Sequence, residues 1–259
     1  MRSRIREQVT ESGVYMEAKI YPVFDDGAPK GTRRRRFRPT GEAQQRLNDW
    51  NSARHLAQLI EANFSAEDLW IHPTFRDDAL PADDADFKRI FRNFVRRLGR
   101  AYKRRGLELR YVAVLERSDR GRYHIHMIVN KGPAPDEIRD LWGLGRLGTD
   151  PLEFTEHGLK GLADYMSKYR QITRRYLCSR NLRQPETRER DGRFSQREAR
   201  ALAHNPEDRA QWEALYPGYT FIECRPFFNS VNGGVYLSVR FWRPPEKKRR
   251  GAKVNERRT

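Results

Sequence analysis

Cysteine is nearly absent: the 259 residues hold two, Cys178 and Cys224, far apart and neither in a Cys-x-x-Cys pair. That excludes a disulfide framework and a thiolate zinc site, and leaves two reduced core thiols as the expectation. Long apolar runs are missing as well. No stretch approaches the roughly 18 residues that a bilayer crossing needs. The opening Met1-Arg2-Ser3-Arg4-Ile5-Arg6 lacks the apolar centre of a signal peptide, so a cytoplasmic protein without a membrane partner is expected. No Gly-x-x-x-x-Gly-Lys phosphate loop occurs, which argues against a built-in nucleotide-driven motor. Acidic residues are in short supply: 35 Asp and Glu face 52 Lys and Arg, a formal charge of +17. A surplus of that size points to a polyanionic partner, nucleic acid ahead of a membrane surface.

What is present divides the chain into periodic segments. Residues 15–23 read as a short strand; Gly27, Pro29, Gly31 and the run Arg33, Arg34, Arg35, Arg36 follow as a basic arm, so residues 1–40 form a strand plus arm. From Gly41 to Phe64, Leu47, Trp50, Leu56, Leu59 and Ile60 recur near helical spacing and predict an amphipathic helix. Residues 68–75 are strand-like, with Pro73 confined to an edge or bulge position because it has no N–H to give a ladder. Between 83 and 105, Phe87, Ile90, Phe91, Phe94, Val95 and Leu98 mark the clearest helix, its opposite side rich in Lys and Arg. Strands are predicted over 108–117 and 122–130, joined by Ser118-Asp119-Arg120-Gly121. A short helix then ends near Trp142, and a glycine-rich stretch from Gly143 to Gly148 leads to a helix from about His157 to Gln171.

The charged segment 187–211 reads as a helical excursion, and residues 219–228 and 235–242 flank Asn232-Gly233-Gly234 as a second hairpin. A hairpin in mid-sequence excludes simple βαβ repetition and predicts an α+β fold. The expected division is a core over 41–185, the excursion and hairpin over 186–245 packed on that core, and a basic, unstructured tail over 246–259.

Chemistry-bearing residues gather in two places. In Tyr123-His124-Ile125-His126-Met127 alternation puts His124 and His126 on one sheet face, their Cα atoms about 6.6 Å apart, so two imidazoles can converge on one ion. A three-residue loop Asp119-Arg120-Gly121, with Gly121 left-handed, sets Ser118 against Arg122 and Glu116 against His124; a two- or four-residue loop would turn Glu116 to the other face. Two imidazoles and one carboxylate leave positions for water and a phosphate oxygen. That set suits Mn²⁺ or Mg²⁺, the imidazoles favouring Mn²⁺, with zinc as an alternative. On the helix 158–171, Leu159, Leu162, Ala163 and Met166 form the apolar face, and Tyr165, Lys168 and Tyr169 cluster on its flank. A phenol is a weak nucleophile unless its phosphate target is polarised and a cation such as Lys168 stands nearby.

The ordered set of Glu116, then His124-Ile125-His126 on a strand, then Tyr165-Met166-Ser167-Lys168 on a following helix resembles the HUH (His-hydrophobe-His) endonucleases. Among them it is most similar to rolling-circle replication initiators of plasmids, phages and integrated elements. The resemblance covers most of residues 64–185 and includes Cys178-Ser179-Arg180-Asn181-Leu182. It implies His124, His126 and Glu116 as metal ligands, Tyr165 as the nucleophile of a 5′-phosphotyrosine link, and Lys168 as a phosphate-contacting group. It also implies an RRM-like (ferredoxin-like) antiparallel sheet, with helices packed on one face and the active site on the other. Two departures stand out. Trp70-Ile71-His72-Pro73-Thr74-Phe75 replaces the usual threonine-bearing strand, making His72 an extra ligand or mere packing. Tyr169 completes a Tyr-x-x-x-Tyr pair, although Tyr165 alone is expected to act.

Single-stranded or hairpin origin DNA is the expected substrate. Candidate contacts are Arg33 to Arg36, the basic side of the helix 83–105, Arg174, Arg175, Arg180, Asn181 and Trp142, the last as a stacking platform. A host helicase and polymerase would be partners, since no motor sequence is present. The competing readings are a non-enzymatic RRM-like nucleic-acid binder, which would not need Tyr165, and a transposase or relaxase using the same metal and tyrosine.

Overall fold

The structure, a computed structural model, describes residues 3–24, 42–118, 121–154, 158, 176–229 and 233–243, with 42–47 described by their backbone alone. Two five-stranded antiparallel sheets and five α-helices make up these residues, an α+β fold as expected. The strands are β1 (Ser3–Ser12), β2 (Tyr15–Phe24), β3 (Leu69–Pro73), β4 (Tyr111–Arg117), β5 (Tyr123–Val129), β6 (Leu147–Pro151), β7 (Leu177–Cys178), β8 (Glu186–Asp191), β9 (Thr220–Phe228) and β10 (Val235–Trp242). The helices are α1 (Glu42–Asn63), α2 (Asp84–Arg104), α3 (Pro135–Trp142), α4 (Gln196–His204) and α5 (Arg209–Leu215).

The first sheet has the order β6-β3-β5-β4-β7. Its strands alternate cleanly, so one face presents Ile71, Ala113, Leu115, Ile125 and Met127 to α2 and α3. Helix α2 starts where Asp83 accepts a 2.7 Å hydrogen bond from the Asp86 N–H, the usual remedy for an orphan donor at a helix start. Its Phe87, Phe91, Phe94 and Leu98 are buried against the strands. Truncating one such ring, as in Phe94→Ala, costs about 3–5 kcal/mol. Strand β3 lies between β5 and β6, not at the edge that Pro73 suggests; Pro73 is its last residue, where a missing N–H interrupts no further rung.

The second sheet, β8-β1-β2-β10-β9, joins strands far apart in sequence. One face packs on α4 and α5 through Met16, Ala18, Leu202, Trp212 and Phe241. Segment 187–211 therefore opens with a strand, β8, before its two helices; the charge that hides β8 from hydropathy is spent on pairs such as Arg6 with Asp191 and Glu189. Strand β1 is an addition to the elements expected from sequence, and it meets β2 through a two-residue turn with Gly13 at φ 63°. Side chains are accommodated poorly at that φ, and a Cβ would also collide with the Glu61 carbonyl of α1.

Helix α1 lies between the sheets. Its Leu56, Leu59, Ile60 and Phe64 bury against Val112, Val114 and Ile128 of the first sheet. On the other side Gln58 donates to Glu17 at 2.6 Å, and Arg240 pairs with Glu61 at 3.1 Å. Cys224 is the buried thiol foreseen, whereas Cys178 is exposed because β7 is a two-residue edge strand. No helix among the described residues is long and apolar enough to cross a membrane. The arm at Arg33 to Arg36, the helix 157–171 and the tail lie outside the described residues.

Candidate active site

The β4–β5 hairpin closes as its turn residues require. Gly121 takes φ 78°, its N–H donates to the Ser118 carbonyl at 2.8 Å, and the Ser118 N–H donates to the Arg122 carbonyl at 2.8 Å. The register follows: Arg117 faces Tyr123, Glu116 faces His124 and Val114 faces His126. Residues of even number on β3, β4 and β5 thus share the face away from α2, which gathers Trp70, His72, Glu116, His124 and His126. The same face is apolar at its other end, where Val112, Val114 and Ile128 are covered by α1. A polar cluster is set against a low-dielectric wall.

Glu116 and His126 are 6% and 8% exposed. His126 Nε2 and Glu116 Oε2 are 2.9 Å apart, a diagonal contact across the ladder in which the imidazole donates to the carboxylate. Burial, and after it the neighbouring His124 and His72, pushes His126 down to about 4; burial and then Arg122 also lower His124. Both rings are therefore neutral near pH 7, the form in which an imidazole can bind a cation. The His124 and His126 rings lie 6.5 Å apart and nearly parallel, at 13°.

Two neighbours were not singled out from sequence. Trp70 lies 6.3 Å from the His126 ring at 26° and 5.3 Å from the His72 ring, forming a wall of the site. Gly148 pairs with His72 across β3 and β6, and the His72 ring occupies the space a Cβ at 148 would take. Alternation on β3 could have found Trp70. Gly148 had only its place in a glycine-rich stretch to mark it.

The sequence therefore placed Glu116, His124, His126 and His72 on one surface, and the strands bring them together there. Tyr165, Lys168 and Tyr169, with Arg174 and Arg175, lie outside the described residues. Among the described residues, no three His, Cys, Asp or Glu side chains converge closely enough to hold a metal ion. Arg180 is exposed in the turn after β7, and Asn181 is tied to the Glu108 carboxylate and Leu109 carbonyl at 3.2 and 3.3 Å. Trp142 is not a stacking platform. It is 1% exposed, donates from Nε1 to the Thr74 carbonyl and packs edge-on against Phe75 and Phe94, because its place at the end of α3 turns it into the core.

Neither the curated proteins nor the solved structures gave a match. The β3–β6 segment that builds this surface does carry one: residues 68–173, about two fifths of the chain, match the replication-associated protein family of the ORF2 type.

Proposed function

We propose that this protein nicks single-stranded DNA at a replication origin and keeps the new 5′ end as a phosphotyrosine, the initiating step of rolling-circle replication. The observation that carries the reading is the hairpin register, which sets Glu116 beside two neutral histidines within the segment similar to replication-associated proteins.

The fit to a divalent ion was tested on donor chemistry. Glu116 and His126 already share a hydrogen bond, the arrangement expected of two ligands whose common proton an ion would replace. His124 stands directly across the ladder from Glu116, so recruiting it needs a side-chain rotation and no shift of strand. These three residues would hold Mn²⁺ or Mg²⁺, and the bound ion would polarise the scissile phosphate. The chain's own residues would do the rest. The Tyr165 hydroxyl oxygen attacks phosphorus, the bond from phosphorus to the 3′ oxygen breaks, and the phenolic proton is balanced by the one the departing 3′-hydroxyl takes up. Lys168 offsets charge on the phosphoryl oxygens. Trp70 and the apolar end of the face keep bulk water from the His126 side. The phosphotyrosine conserves the energy of the broken bond, so the same site can rejoin strands without a nucleotide cofactor.

The test is incubation with Mn²⁺ and single-stranded or hairpin oligonucleotides bearing the origin, followed by denaturing electrophoresis. A band of protein joined to DNA is expected, lost in Tyr165→Phe and in His126→Ala. A band that survives Tyr165→Phe and disappears in Tyr169→Phe would move the nucleophile. Tight binding without any adduct, whatever the divalent ion, would refute the reading in favour of a non-enzymatic binder.

A further inference from the structure

The outer side of α2 has an unusual charge pattern. From residue 88 to 105 the chain places nine Lys or Arg and no Asp or Glu. A merely solvated helix interleaves acids and bases at i, i+4, because like charges at that spacing cost about 0.2–0.5 kcal/mol per pair. Here Arg92, Arg96, Arg100 and Lys103 follow one another at i, i+4, i+8 and i+11, all exposed. They form no salt bridge among the described residues; the one polar contact is from Arg96 to its neighbour Asn93, at 3.5 Å. Arg104 and Arg105, by contrast, are neutralised by Glu137 of α3. Lys103 in the last turn gains from the helix dipole, but Arg92 and Arg96, in mid-helix, gain nothing from it. The row spans about 16 Å at 1.5 Å per residue, in steps of about 6 Å.

We infer that this row of α2 is a docking surface for the phosphate backbone of double-stranded DNA, separate from the histidine face. Two observations select a duplex. The row lies across the sheet from Glu116 and His126, so a single strand seated at those residues does not run along it. Recognition of single strands also needs stacking platforms, and every aromatic of α2, namely Phe87, Phe91, Phe94 and Tyr102, is buried. What remains is a rigid line of cations suited to phosphates and blind to base sequence. The inference deepens the proposed function, because a nickase held on flanking duplex stays beside the strand it opens. It can fail or stand independently of that function, since its test reads binding and not cleavage.

The experiment measures the affinity of the full chain for a labelled duplex of arbitrary sequence, and for one strand of it, by fluorescence anisotropy from 50 to 200 mM salt. The variant carries Arg92→Gln, Arg96→Gln, Arg100→Gln and Lys103→Gln. A control of equal charge carries Arg188→Gln, Arg190→Gln, Arg197→Gln and Arg200→Gln. With about 0.9 unit of slope per phosphate contact, the salt dependence of duplex binding should become shallower by about 3–4 units in the variant. Single-strand binding should change no more than in the control. The variant should melt no lower than the parent, since self-repulsion is relieved. An unchanged duplex slope, or an equal loss in the control, would overturn the assignment; so would a loss confined to the single strand.

Discussion

The buried pair of Glu116 and His126 permits a quantitative test of whether the site is built for an ion at the expense of stability. Replacing His126 by Ala removes a charge-assisted hydrogen bond worth about 1.5–3 kcal/mol and strands a carboxylate that is 6% exposed. Replacing Glu116 by Ala removes the same bond from the other side. Replacing both also removes the cost of burying the carboxylate, so the double variant should lose less than the sum of the singles, by about 1–3 kcal/mol. Urea unfolding in EDTA measures all four corners of the cycle. Mn²⁺ at a hundredfold excess over its dissociation constant should then add about 2.7 kcal/mol to the parent, roughly 5–10 °C in a chain of this size. The single and double variants should gain little. Additivity within about 0.5 kcal/mol would show that the 2.9 Å contact is not formed in solution. An equal Mn²⁺ response in all four proteins would place the ion elsewhere and refute the reasoning.

Other expectations follow from neighbouring residues. Gly148→Ala should push the His72 ring from its seat and cost about 1–3 kcal/mol in urea unfolding. The Mn²⁺ response should persist, since the His72 Nδ1 is directed to Asp150 at 3.5 Å; its loss would make His72 a ligand. Lys19 is lowered to about 8, by burial first and then by Arg54. Between pH 8 and about 10 the unfolded chain binds more protons at this position than the folded one, so thermal stability contributed here should rise with pH. Lys19→Met should flatten that rise, and a slope unchanged by the substitution would refute the assignment. Trp142→Ala should cost about 3–5 kcal/mol and leave affinity for single-stranded DNA unaltered, as measured by melting and anisotropy.

Local features were legible in the sequence and long-range ones were not. The turn at Ser118 to Gly121 dictates the register that brings Glu116 to the histidines, and that information sits in four consecutive residues. The phenylalanines of α2 likewise announce their buried face. Strand β8, in contrast, is Glu-Thr-Arg-Glu-Arg-Asp, with no apolar residue to signal burial; it is a strand because β1 offers it a ladder and matching charges. Strand β6 hides in the same way behind Gly148 and a terminal proline. Trp142 defeats a reading from sequence because composition reveals an aromatic and not the direction it points. On the site itself, alternation found the four polar side chains, while the fit of His72 over Gly148 depends on a pairing between two strands that α2, a hairpin and α3 separate along the chain.

The pairing of β2 with β10 has a consequence for synthesis. Leu237 to Trp242 lie against Ile20 to Tyr15, so the central rung of the second sheet cannot form until more than 200 further residues have left the ribosome. At about 5–20 residues per second the nascent hairpin waits on the order of 10–40 s with one edge of β2 unpaired. Such an edge is a template for stray strands. A nascent chain stalled after Phe228 would carry it permanently, which makes ribosome stalling and truncation the natural routes to aggregation of this protein.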